Sequence, residues 1–220
     1  MTSEGASDDA DADPHRHQPI ETAGAPVAAA DAAVVFLHGR GGTAGGMLAL
    51  ADDLRFRTAT HLAPQAAKSR WYPNSGYAPT ERNQPWIDSA LGVVSRALAM
   101  AEAAEVPPER TVLVGFSQGA SIAAEFVARY PRQYGGLVVL SGGLLGADPE
   151  RALGGSIDGT PVYVGYGGDD ATLSEDRIAA TVRCFEALEG EVEQECHDGL
   201  GHAIDDAELR VIDRYLDQFP

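Results

Sequence analysis

The chain predicts a three-layer α/β/α fold with a mostly parallel central sheet. Two observations point to it. Short apolar segments of strand length alternate with segments of helical periodicity along nearly the whole chain, which is the order that parallel strands joined by crossover helices produce. The strand candidates, Ala33-Val34-Val35-Phe36-Leu37 above all, are apolar without interruption, as strands covered on both faces must be.

Taken in order, residues 1 to about 17 form an acidic leader of small residues without large apolar side chains. It cannot offset its ordering entropy and is expected to be disordered. The folded domain is expected over 18–220. Gln18 to Thr22 is a candidate first strand, with Gly24-Ala25-Pro26 as the turn behind it. Ala33 to Leu37 is a central strand that empties into His38-Gly39-Arg40-Gly41-Gly42-Thr43 and a helix from about Ala44 to Arg55. Thr58 to Leu62 is the next strand, and a polar and aromatic loop runs from Ala63 to Pro85. Ile87, Leu91, Val94 and Leu98 recur at helical spacing, predicting a helix over Trp86 to Ala104 that Pro107-Pro108 stops. Thr111 to Val114 reads as a strand and Ala120 to Tyr130 as a helix. Leu137 to Leu140 and Pro161 to Val164 are short strands, Leu173 to Leu188 and Asp205 to Phe219 helices, with the strand Glu191 to Cys196 between those helices. No insertion is long enough for a separate cap domain.

At 220 residues the chain suits one sizeable core. Its net charge of −17, with Lys68 the only lysine, repels nucleic acid and anionic membranes, so neither is an expected partner. Scarce lysine and surplus carboxylates also fit a salty cytosol, or simply a genome that favours arginine over lysine. No secretory signal or membrane span is legible, and a cytoplasmic protein is expected. Cys184 and Cys196 fall in a predicted helix and strand with no C-x-x-C spacing, and both are expected to be reduced core residues.

The chemistry concentrates at Gly115-Phe116-Ser117-Gln118-Gly119, between a strand and a helix. That context turns a common G-x-S-x-G pentapeptide into a nucleophile elbow, with the serine on a sharp turn above the sheet. The plain alternative is a glycine-rich turn capping the next helix. A serine hydroxyl needs a base and a group that orients the base. Two later loops offer them. Tyr166-Gly167-Gly168-Asp169-Asp170 follows a strand, and either aspartate can serve, with Asp170 preferred; the alternative for both is helix capping. Asp198-Gly199-Leu200-Gly201-His202 follows the last strand, and His202 is the preferred base, with His197 its rival. His197, Asp198 and His202 fit no established zinc spacing, so no metal or cofactor is expected.

Developing negative charge on a substrate carbonyl needs fixed donors, and the backbone N–H groups of Gln118 and Arg40 are the candidates. Gly39-Arg40-Gly41-Gly42-Thr43-Ala44 also matches a dinucleotide fingerprint. That reading requires an acidic residue about twenty positions on, where the chain has Ala63-Pro64-Gln65.

Phe36-Leu37-His38-Gly39-Arg40-Gly41-Gly42, Trp71-Tyr72-Pro73, Gly115-Phe116-Ser117-Gln118-Gly119, Tyr166-Gly167-Gly168-Asp169-Asp170 and Gly199-Leu200-Gly201-His202 together resemble the phospholipase/carboxylesterase family of α/β-hydrolases, which includes acyl-protein thioesterases. The resemblance runs from about residue 18 to the end. It implies the α/β-hydrolase fold and a serine carboxylesterase acting through an acyl-enzyme, with Ser117 as nucleophile, Asp170 as acid, His202 as base, and Arg40 and Gln118 as backbone donors. Tyr166 and Ala171 depart from the histidine and proline that family members often carry around this aspartate. Trp71, Tyr72 and Tyr77 are expected to line an apolar substrate pocket over the elbow. The expected partner is a small ester, with a thioester or lysophospholipid as the alternative; a non-catalytic binding protein is the other class. A homodimer is compatible with this reading.

Overall fold

The computed structural model describes residues 13–52, 54–56, 58–149 and 154–219. A seven-stranded sheet runs through it in the order β1-β3-β2-β4-β5-β6-β7. The strands are β1 (Ile20–Gly24), β2 (Ala32–Leu37), β3 (Ala59–Pro64), β4 (Thr111–Phe116), β5 (Gly136–Leu140), β6 (Pro161–Gly167) and β7 (Glu191–His197). Only β1 pairs antiparallel, against β3; every other neighbour pair is parallel. The helices are α1 (Ala44–Ala51), α2 (Trp86–Glu102), α3 (Gln118–Arg129), α4 (Glu175–Ala187) and α5 (Asp206–Leu216).

The uninterrupted apolarity of the central strands reflects two buried faces. Along β2, Ala33, Val35 and Leu37 belong to the apolar core that also takes in residues of α2, α3 and α4, while Ala32, Val34 and Phe36 belong to the one that takes in residues of α1 and α5. Strand side chains alternate between faces, so each strand feeds both cores. The same division runs through Leu113 against Val112 and Val114, and through Val139 against Val138 and Leu140. This three-layer arrangement is that of the α/β-hydrolase fold.

Several boundaries differ from expectation. The first helix ends at Ala51 rather than Arg55. Helix α4 starts at Glu175 because Ser174 caps it, its side chain accepting from the Arg177 N–H. Helix α5 begins with a capping box formed by Asp205 and Glu208. Cys184 is buried as expected, but Cys196 is exposed. It sits on β7, an edge strand whose Glu191, Glu193 and Glu195 also face solvent, and such charges keep an edge from pairing with another chain.

Of the residues expected to form a disordered leader, 1–12 lie outside the described part, and 13–17 do not behave as a solvated tail. His15 is fully buried, its ring lying 5.5 Å from Trp71 and 5.4 Å from Trp86 between ring centroids. Apolar contact for one imidazole supplies burial that the acidic composition of the leader concealed.

Candidate active site

Ser117 joins β4 to α3 with φ 55° and ψ −117°. A non-glycine residue at such a φ is strained, and strain of this kind persists only where surrounding structure holds it. Here the Ser117 N–H donates to the Leu140 carbonyl at 2.9 Å, and its carbonyl accepts from Ser121 N at 3.1 Å. Glycines make the tight approach feasible: a Cβ on Gly115 would sit 2.4 Å from the Gly119 carbonyl oxygen, and one on Gly119 would sit 2.0 Å from that of Leu37.

His202 reaches Ser117 from the loop between β7 and α5, its Nε2 lying 2.9 Å from the serine Oγ. Its Nδ1 lies 2.7 Å from Asp170 Oδ2. A carboxylate can only accept, so Nδ1 carries the proton and Nε2 is left to accept from the serine hydroxyl. The imidazole also packs at a tilt against Phe116, 4.9 Å between ring centroids. The other carboxylate oxygen of Asp170 accepts from Thr172, from its N–H at 2.9 Å and its hydroxyl at 2.6 Å. Burial pushes the Asp170 carboxyl upward, but the hydrogen bonds from His202 and Thr172 outweigh it and hold the group below its ordinary value. Of the two aspartates and two histidines left open by the sequence, it is His202 that meets Ser117 and Asp170 that meets His202.

The rival His197 has different neighbours. Its Nδ1 lies 3.0 Å from Asp205 Oδ2 and its Nε2 2.8 Å from the Tyr163 hydroxyl. It thereby ties the two ends of the loop that carries His202. Glu208, whose side chain completes the cap at Asp205, is fully buried, and burial pushes its carboxyl up to about 7.

A cavity of about 380 Å³ opens at Ser117, and Arg40, Gln118, Tyr72 and Tyr77 line it. As the first residue of α3, Gln118 has an N–H with no carbonyl one turn back to receive it. The Arg40 side chain turns away to the carbonyls of Tyr72 and Pro73, at 3.0 and 2.6 Å.

Trp71, expected on the pocket wall, is instead fully buried and does not line the cavity. Its indole N–H donates to the His38 carbonyl at 2.7 Å, so it backs the wall while Tyr72 and Tyr77 form it. The cavity is also more polar than an aromatic loop suggested. Ser121, Ser141, Thr172 and Arg177 line it beside Leu144, Leu145 and Leu173. Burial pushes the Tyr72 phenol up to about 12, leaving it a neutral hydrogen-bonding group. The segment after β5, residues 141–145, carried no motif that could have marked it as cavity wall. Among the described residues, no group of three or more His, Cys, Asp or Glu side chains is arranged to hold a metal ion.

A family model described as phospholipase/carboxylesterase matches residues 18–219. The crystal structure of a phospholipase/carboxylesterase from Dyadobacter fermentans is 37% identical, covering 90% of this chain and 96% of that one at a TM-score of 0.85. Carboxylesterase SOBER1 of Arabidopsis thaliana is 29% identical over 50% of this chain and 48% of its own, so the chain spans about half the length of that plant relative. Acyl-protein thioesterase 1 of Eremothecium gossypii is 25% identical over 78% of this chain and 81% of its own. No helix among the described residues is long and apolar enough to cross a membrane.

Proposed function

Because the chain belongs to the phospholipase/carboxylesterase family, we propose that it is a serine carboxylesterase that cleaves small carboxylic esters through an acyl-enzyme on Ser117. The observation that carries this reading is the relay of contacts from Ser117 Oγ through the His202 ring to Asp170, at 2.9 and 2.7 Å.

Ser117 Oγ attacks the ester carbonyl carbon as its proton passes to His202 Nε2. The carbonyl π electrons move onto oxygen, where the Gln118 and Arg40 N–H groups receive the charge. Each such donor contributes about 3 kcal/mol in the transition state. When the intermediate collapses, the bond to the alkoxy oxygen breaks and the His202 proton leaves with the alcohol. Water then attacks the acyl-enzyme, giving its proton to Nε2, and the carboxylic acid is released with Ser117 reprotonated. Asp170 stays ionised throughout and supports the imidazolium.

A thioester passes through the same steps with a thiol leaving group. The similarity to an acyl-protein thioesterase makes that the second reading, which matched ester and thioester substrates separate by kcat/KM. The test of the common mechanism is a fluorophosphonate probe. It should add mass at Ser117 alone, and Ser117→Ala should stay folded while losing on the order of a millionfold in turnover. Labelling at another residue refutes the assignment.

A further inference from the structure

The segment ahead of residue 18, where the family match begins, is built into the support of this site. His15 Nδ1 accepts from the Ala67 N–H at 3.0 Å, so the neutral ring carries its proton on Nε2 and donates it to the Trp71 carbonyl at 3.1 Å. Burial lowers its pKa, which favours this neutral form. The segment is anchored on α2. The His15 N–H donates to Ser89 Oγ at 2.8 Å, Ser89 donates to the Asp13 carboxylate, and the Arg96 guanidinium donates to the carbonyls of His15, Arg16 and Gln18.

Trp71, which His15 grips, touches both sides of the proposed oxyanion site. Its backbone N–H donates to Gln118 Oε1 at 3.1 Å, and Gln118 Nε2 returns a bond to the Tyr72 carbonyl at 3.1 Å. Its indole N–H holds the His38 carbonyl, two residues before Arg40. One proposed donor therefore belongs to the residue whose side chain Trp71 holds, and the other lies two residues beyond a carbonyl that Trp71 holds. We propose that His15 is a positioning residue for the reaction: it sets the Trp71–Tyr72 segment, and through it the place of the Gln118 and Arg40 N–H groups. His15 does not line the cavity and touches no substrate. The proposal rests on the serine-esterase reading of Ser117.

The test compares the full-length wild type with His15→Ala, which opens a space the size of an imidazole, and His15→Phe, which fills it without polar atoms. Active sites are counted by fluorophosphonate labelling, and kcat per labelled site and KM are measured on a 4-nitrophenyl ester. Donors that act only in the transition state change kcat and leave KM alone. Both variants should lose about 10- to 100-fold in kcat per site, a part of the 10²–10³ that one oxyanion donor is worth, with KM within about twofold. Added imidazole should restore turnover to His15→Ala and not to His15→Phe. Fewer labelled sites or a lower Tm with unchanged kcat per site would overturn the proposal, since a purely structural histidine does that. Where His15→Ala fails to fold, His15→Phe decides on the same criterion. A wild type that does not label at Ser117 refutes the esterase reading and this inference with it; labelling at Ser117 with unchanged kcat per site refutes this inference alone.

Discussion

Replacing Asp170 by asparagine should abolish most turnover through a tautomer change that the structure dictates. One carboxylate oxygen of Asp170 faces two donors, the Thr172 N–H and hydroxyl, and the other faces His202 Nδ1. An asparagine there keeps its carbonyl oxygen toward Thr172, because its NH2 group cannot accept from either donor. The NH2 group is then turned toward His202, and Nδ1 must accept instead of donating. The ring proton moves to Nε2, opposite the Ser117 hydroxyl 2.9 Å away, and no base remains. Loss of the base is all-or-none rather than a weakening, and a drop of about 10⁴ in kcat is expected, or about 5.5 kcal/mol at 1.36 kcal/mol per tenfold. Asp169→Asn is the control and should stay within about twofold. Steady-state kinetics on a 4-nitrophenyl ester, with Tm measured alongside, decides the matter. A folded Asp170→Asn enzyme retaining a tenth or more of wild-type kcat would refute the reasoning.

Other expectations concern stability. His15, His38 and His61 are held below the ordinary imidazole value, burial being the first cause in each. Above about pH 6.5 they are neutral whether folded or not; below it the unfolded chain takes up protons that the folded chain resists, so stability should fall as pH drops from there. Glu208 has the opposite sign. Its folded carboxyl, pushed up to about 7 from 4.5, keeps its proton where the unfolded chain has lost it, so its contribution is full below pH 4.5 and lost as pH rises through 7. Glu208→Gln, whose amide oxygen can still accept from the Asp205 N–H, should therefore raise Tm at pH 8 and leave it unchanged at pH 4.5; equal shifts at both would contradict this. In that variant the urea midpoint should decline between pH 6.5 and 5, and a flat profile counts against the histidines. Gly119→Ala would drive a Cβ to 2.0 Å from the Leu37 carbonyl oxygen and 2.7 Å from that of His38. Overpacking typically costs about 1–3 kcal/mol, and the atoms met are backbone of the Leu37–His38 segment, which has little room to yield; a variant with wild-type Tm and activity would show that the helix can shift.

Much of this molecule is local and was therefore legible. Apolar runs such as Ala33 to Leu37 need only their own composition to declare a strand buried on both faces, and Gly115 and Gly119 mark the sharp turn because no other side chain fits there. The loops bearing Asp170 and His202 could be found from their place after a strand. What composition hid was a residue whose neighbours are remote. His15 lies in an acidic stretch, yet its partners are Ala67, Trp71 and Ser89. Trp71 reads as a pocket aromatic until the bond from its indole to the His38 carbonyl turns it into the wall. Cys196 reads as core until β7 proves to be an edge.

The amino-acid order alone determined the alternation of strands and helices, the serine turn and the two loops able to supply an acid and a base, since these follow from periodicity and backbone sterics over a few residues. Only the tertiary structure decided which histidine meets Ser117, which aspartate meets that histidine, and what lines the cavity. Those pairings span 85 positions for Ser117 and His202 and 32 for Asp170 and His202, and the order in which the sheet brings distant strand ends together is not written in any local stretch of sequence.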